Sequence, residues 1–153
     1  MDDRTWLGSW RNPGIMGSAL LYLAALLTPA LRVDSGVVAS GSTLLLHGWR
    51  GLADGYVEWL ANPLLLLGWL AVVRRWLHAA FALGLAALGL MLLFLGRGPL
   101  HWASQPGTHV VHRAMGFWLW VASAACVLYA AGCSLLPAGK AQILRIDRRD
   151  HQR

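Results

Sequence analysis

The sequence predicts an all-α integral membrane bundle of four transmembrane helices with both termini cytoplasmic. Three observations lead there. Hydrophobic residues make up 57% of the 153-residue chain and charged residues only 13%, against the ~25% charged residues of a soluble domain. The mean hydropathy is +0.50. The apolar residues gather into four runs, at 14–33, 55–73, 78–96 and 113–137, each near the ~20 residues that cross ~30 Å of hydrocarbon as a helix. In lipid the backbone must satisfy its own hydrogen bonds, so these runs read as helices, and no period-2 alternation suggests a barrel. The same composition speaks against a disordered chain, an ordinary soluble enzyme domain and a disulfide-stapled miniprotein.

Taken in order, the first run follows Arg4 and Arg11. It exceeds the 7–15 residues of a signal-peptide core, and Asp2 and Asp3 precede it, so a retained signal-anchor helix is expected. The second run has an apolar shoulder at 44–46, and Pro63 should kink it or mark its N-terminal turn. The third carries Ala80-xxx-Gly84 followed by Ala87, and the fourth Ala122-xxx-Cys126-xxx-Ala130. Small residues at helical spacing let backbones approach in lipid, so Gly84, Ala122 and Cys126 are expected at packing faces, as is Gly14-xxx-Ser18. Cys126 and Cys133 lie about 10 Å apart along a helix, too far for a disulfide. Residues 1–138 then form the transmembrane domain. Residues 139–153 form a basic cytoplasmic tail that meets anionic headgroups.

Charge sets the orientation. Thirteen Lys and Arg against seven Asp and Glu give +6. Arg4, Arg11, Arg74, Arg75, Lys140, Arg145, Arg148, Arg149 and Arg153 fall on one side, and Arg32, Arg50, Arg97 and Arg113 on the other. The positive-inside rule makes the first side cytoplasmic. The loops at 34–54 and 97–112 then face outward, and the nine tryptophans fall near the two interfaces as aromatic belts. No basic-aromatic module of the nucleic-acid-binding kind is present.

The segment with the richest chemistry is 47–63, HGWRGLADGYVEWLANP. Asp54, Glu58 and Asn62 are spaced i, i+4, i+8. On a helix beginning by Leu52 they would line one face leading into the membrane, where ionisable residues are costly and point to function. If the helix begins near Glu58 instead, the acids are solvated in its first turn, where negative charge is favourable. Arg50, Arg97 and Arg113 are the available countercharges. With His47, Trp49 and Trp59, these residues make the predicted interaction site. His47, His109 and His112 share the outer side, and imidazole suits zinc, copper or haem. No cofactor is expected, because HxxH alone specifies little. GxSxG, HExxH and SxxK are missing from the sequence, which removes the common hydrolytic signatures.

The block Gly48-Trp49-Arg50-Gly51-Leu52, Gly55 and Trp59-Leu60-Ala61-Asn62-Pro63-Leu64-Leu65-Leu66-Leu67, with Asp34-Ser35-Gly36 before it and the run from Gly116 to Ser123 after it, resembles small four-helix bacterial inner-membrane proteins. That resemblance implies the fold and topology, and no activity. The expected function is therefore non-catalytic: protein–protein interaction within the bilayer, as an accessory subunit or an immunity-type protein. The partners would be the lipid bilayer and another membrane protein or a second copy of the chain. Two other readings stand beside it. One is a haem- or metal-binding redox subunit using His47, His109, His112 and Glu58. The other is an oligomeric small-solute carrier or channel lined by Asp54, Glu58 and Asn62.

Overall fold

The computed structural model describes residues 12–33, 36, 38–96, 99–100 and 108–150. The architecture is mostly helical, with a small sheet at one end. Helix α1 (Pro13–Leu27) opens where Asn12 Oδ1 accepts from the Gly14 amide at 2.9 Å and Pro13 occupies the first helical position. There the missing proline N–H costs nothing. It ends at Thr28, which is extended and precedes Pro29, a placement that disfavours helix.

The first helix is thus shorter than the predicted 14–33. Its last predicted turn is strand β1 (Pro29–Val33), which pairs antiparallel with β2 (Val38–Ser40) and with β4 (Thr108–Arg113). β3 (Pro99–Leu100) adds to β4, giving the order β2-β1-β4-β3. An all-α reading overlooks this sheet because β2 and β3 have only three and two residues and the longer PALRV and THVVHR do not alternate, and apolar content alone does not separate a strand from a helix end.

Helix α2 (Gly41–His47) follows, capped by Ser40. Two 3-10 segments, Gly48–Asp54 and Val57–Leu60, lead into α3 (Ala61–Val73), with Pro63 in its first turn. A tight turn through Arg74 and Arg75, in which the Trp76 amide bonds to Ala71 O at 2.8 Å, reverses the chain into α4 (Leu77–Leu93). Helix α5 (Met115–Asp150) starts close to its predicted position and runs on past Pro137. Arg4, Arg11, Trp6, Trp10, Asp34, Ser35, Arg97, His101, Trp102 and Arg153 lie outside the described residues. So do the side chains of His109 and of residues 136–150.

α1, α3, α4 and α5 make the bundle, with α1 against α5 and α4 against both α3 and α5. Small and polar residues share the inside with larger apolar ones such as Leu65 and Val127. α1 buries Ile15, Ser18, Tyr22 and Ala25, and α4 buries Ala80, Gly84, Ala87 and Met91. Large apolar residues face out, including Leu20, Leu23 and Leu27 on α1 and Leu85, Leu92 and Leu93 on α4. A Cβ on Gly84 would stand 3.2 Å from Leu128 Cδ2, so glycine sets the approach of α4 to α5. On α5 the buried positions among the described residues are Gly116, Phe117, Ser123, Ala124, Val127, Ala130 and Ala131, while Ala122 and Cys126 are half-buried at the edge of that face. Cys126 and Cys133 are free thiols. Leu77–Gly96 and Met115–Leu135 are long and apolar enough to cross a membrane, and α1 and Val57–Val73 are shorter apolar helices.

Candidate functional site

The bundle end that carries the sheet is closed by α2 and the two 3-10 segments. Gly41 allows α2 to cross the end of α1, because a Cβ there would collide with the Ala25 carbonyl. The Gly41 amide also bonds to Thr28 O at 3.2 Å. Gly55 has φ +81 and ends the first 3-10 segment. That left-handed residue favours glycine. Trp59 seats the layer from below. Its indole N–H donates to Leu45 O at 3.0 Å, and a Cβ on Gly48 would stand 2.7 Å from its Cδ1.

Beneath this lid lies a polar knot joining three helices. Asn62 Oδ1 accepts from the Tyr22 hydroxyl at 3.1 Å and from Trp120 Nε1 at 3.1 Å, and Asn62 Nδ2 donates to Trp59 O at 3.1 Å. One layer further in, Ser18 Oγ donates to Ser123 O at 2.7 Å and accepts from Trp69 Nε1 at 2.8 Å. Tyr22 and Trp69 meet edge to face with ring centroids 5.5 Å apart, which connects the two layers. Every donor in this set has an acceptor, as a buried polar network requires. Trp59, Trp69 and Trp120, expected in interfacial belts, thus direct their N–H groups to partners within the protein.

Between lid and knot is a cavity of about 110 Å³. Its walls come from α1, β1, α2, both 3-10 segments and the adjoining ends of α3, α4 and α5, and include Tyr56, Trp59, Phe94, Phe117 and Trp120. Glu58, only 4% exposed, and Asn62 also line it. Filling a space of this size recovers roughly 2–3 kcal/mol, at ~24 cal/mol per Å³. An apolar pocket with a few convergent polar groups is the default binding site of a fold.

The predicted interaction site divides in two. Glu58, Trp59 and Asn62 line the cavity. His47, Trp49, Arg50 and Asp54 are exposed on the lid. The expected single face of Asp54, Glu58 and Asn62 is not formed, because the i, i+4, i+8 spacing needs a continuous α-helix. Here a 3-10 segment ends at Asp54, Gly55 turns left-handed, and the helix proper begins at Ala61. Of the alternative, a helix that starts near Glu58 with solvated acids, the start matches, with Glu58 in the first turn of Val57–Leu60 and Asp54 exposed, but Glu58 is buried.

Arg50 lies over the Trp49 ring at 5.7 Å. Arg113 holds the end of α4: its Nη2 donates to Phe94 O at 2.9 Å and Leu95 O at 2.8 Å, and its guanidinium lies 5.8 Å from the Phe94 ring centre. His47 Nδ1 stands 3.2 Å from Thr43 O, and His112 is exposed in β4. Among the described residues no group of three or more His, Cys, Asp or Glu side chains is placed to hold a metal ion.

Tyr22, Phe94, Phe117 and Trp120 were not foreseen as part of the site. The available signal was polar or aromatic residues at helical spacing inside apolar runs: Ser18 with Tyr22, and Trp120 with Ser123. The chain matches no family model, no curated protein and no solved structure.

Proposed function

We propose that this chain is a non-catalytic, four-span protein of a bacterial inner membrane, with both termini cytoplasmic, that acts by binding another membrane protein through its outer lid. The reading takes α1, Val57–Val73, α4 and α5 as the four spans. Two properties support the membrane placement. Many large apolar side chains face outward, among them Leu20, Leu23, Leu85 and Leu92, and Ser18, Ala80, Gly84, Ala87 and Ala124 pack inside beside larger residues such as Leu65 and Met91, an arrangement that suits lipid as solvent. The sequence also places nine of its thirteen basic residues on the side of the termini and the α3–α4 turn, as the positive-inside rule asks.

The observation that carries the binding role is the composition of the lid. Trp49 is 53% exposed with Arg50 over its ring, and Leu46 is 67% exposed beside them. Trp and Arg are the residues most enriched among interface hot spots. The segment below is anchored by Trp59 and Asn62, so little ordering remains to be done on binding. An accessory-subunit or immunity-type role fits such a preset surface. The resemblance of the 48–67 block to small four-helix inner-membrane proteins bears on the four-span placement alone.

The test is a photo-crosslinking amino acid in place of Trp49 in native membranes. The expected result is a discrete heavier band containing one other membrane protein, abolished by Arg50→Glu. Adducts to lipid alone would sink the proposal.

A further inference from the structure

We propose that the cavity beneath the lid is a receptacle for the hydrocarbon chain of a bilayer lipid. The inference rests on the membrane placement above and adds a ligand that the protein-binding role does not require.

Depth is the first argument. At 1.5 Å per residue, Asn62 stands about 17 Å above Val73 along α3, and Phe94 about 26 Å above Leu77 along α4. Both helices start from the same turn, and both residues line the cavity. Against ~30 Å of hydrocarbon, the cavity lies inside the apolar layer. α3, with 13 residues, is too short to reach the outer edge. The lid segments complete the distance, and their outward side chains include the apolar Leu46, Leu52, Val57 and Leu60 as well as the polar His47, Arg50 and Asp54. Irregular backbone at this depth is tolerated where protein covers it, and these leucines make the surround of the cavity a lipid-contacting surface.

Wall chemistry is the second argument. Most polar groups facing the cavity are already used. Asn62 Oδ1 takes two hydrogen bonds and Nδ2 gives one, and the Trp59 and Trp120 N–H groups are spent on Leu45 O and Asn62. Glu58 has a partner within the protein, and its Oε2 is a buried acceptor without a hydrogen bond. Apart from that oxygen, what remains for a ligand is aliphatic surface and the faces of aromatic rings. A polar or charged guest would leave its own groups unsatisfied there. An apolar guest would not. The volume, about 110 Å³, is near that of cavities that admit benzene (~150 Å³). It therefore takes a stretch of chain and not a headgroup.

The experiment uses the full chain in nanodiscs of phosphatidylcholine carrying a diazirine midway along one acyl chain, irradiated and mapped by mass spectrometry. Adducts are expected on cavity residues Phe117 and Trp120 as well as on the outward Leu85 and Leu92 of α4. Ala25→Leu and Ala30→Leu, which fill the cavity from two different elements, should remove at least nine-tenths of the Phe117 and Trp120 adducts and leave those on α4 unchanged. Adducts confined to Leu85 and Leu92 in the wild type would overturn the cavity assignment and keep the membrane placement. Cavity adducts that persist in both filled variants would also overturn it. A chain without adducts anywhere would overturn the membrane placement and this inference together.

Discussion

Asn62→Leu is the sharpest test of the polar knot. The side chains are similar in bulk, so the change removes hydrogen bonding more than packing. It takes the acceptor from two buried donors at once, the Tyr22 hydroxyl and Trp120 Nε1, each at 3.1 Å. Interhelical hydrogen bonds in membrane proteins average ~0.6 kcal/mol and reach ~1.7. Two of them give a loss of about 1–3 kcal/mol, toward the lower end of the ~2–6 kcal/mol that two orphaned donors would cost in a water-soluble core. Tyr22→Phe should cost less, about 0.5–1 kcal/mol, because Asn62 keeps Trp120. In the double variant the tyrosine hydroxyl is no longer stranded, so its cost should not exceed that of Asn62→Leu alone, and the coupling should be about 1 kcal/mol. Unfolding by sodium dodecyl sulfate in mixed bicelles, read by tryptophan fluorescence, measures all three. A loss below ~0.5 kcal/mol for Asn62→Leu, or strict additivity in the cycle, would show that the knot does not hold α1, α3 and α5 together.

Three further outcomes follow from the geometry. Gly48→Val drives a side chain into Trp59, whose indole is fixed to Leu45 O; overpacking of this kind costs about 1–3 kcal/mol and should raise protease cleavage in the lid at 49–56. Arg113→Met strips the carbonyls of Phe94 and Leu95 of a charged donor, a loss of about 1.5–3 kcal/mol, and Arg113→Lys should recover only part of it because the guanidinium fork is lost; denaturant melts of both variants compare the two. Gly84→Leu should destabilise by about 1–3 kcal/mol in thermal melts, because Leu128 and Val127 already stand against that backbone. Gly89→Leu on the same helix, where a Cβ meets open space, should stay within ~0.5 kcal/mol of the wild type.

The helices were legible because their signal is long and additive. Twenty apolar residues outweigh any local preference, and small residues at i, i+4 marked the face of α4. The lid was only partly legible. Trp59 and Asn62 belonged to the predicted interaction site, and both do line the cavity. Their roles were hidden, because the Asn62 partners come from residues 40 and 58 positions away. Asp54, Glu58 and Asn62 misled for a related reason: spacing gives a face only once the helix type is known. The sheet was hidden for want of length, since two- and three-residue strands such as Pro99–Leu100 and Val38–Ser40 leave no periodic trace.

The pairing of β1 with β4 has a consequence for how the molecule is made. Leu31 pairs with Arg113, the Ala114 amide bonds to Ala30 O, and Ser18 reaches Ser123, 105 residues later in the chain. The first helix is therefore completed by the last. At ~5–20 residues per second of synthesis, the Ser18 hydroxyl must wait about 5–20 s for its acceptor on α5, whereas Tyr22 meets Asn62 and Ser18 meets Trp69 sooner, 40 and 51 residues on. Until α5 arrives, the nascent protein is an open arc, and whatever shelters the Ser18 hydroxyl meanwhile belongs to its assembly as much as the sequence does.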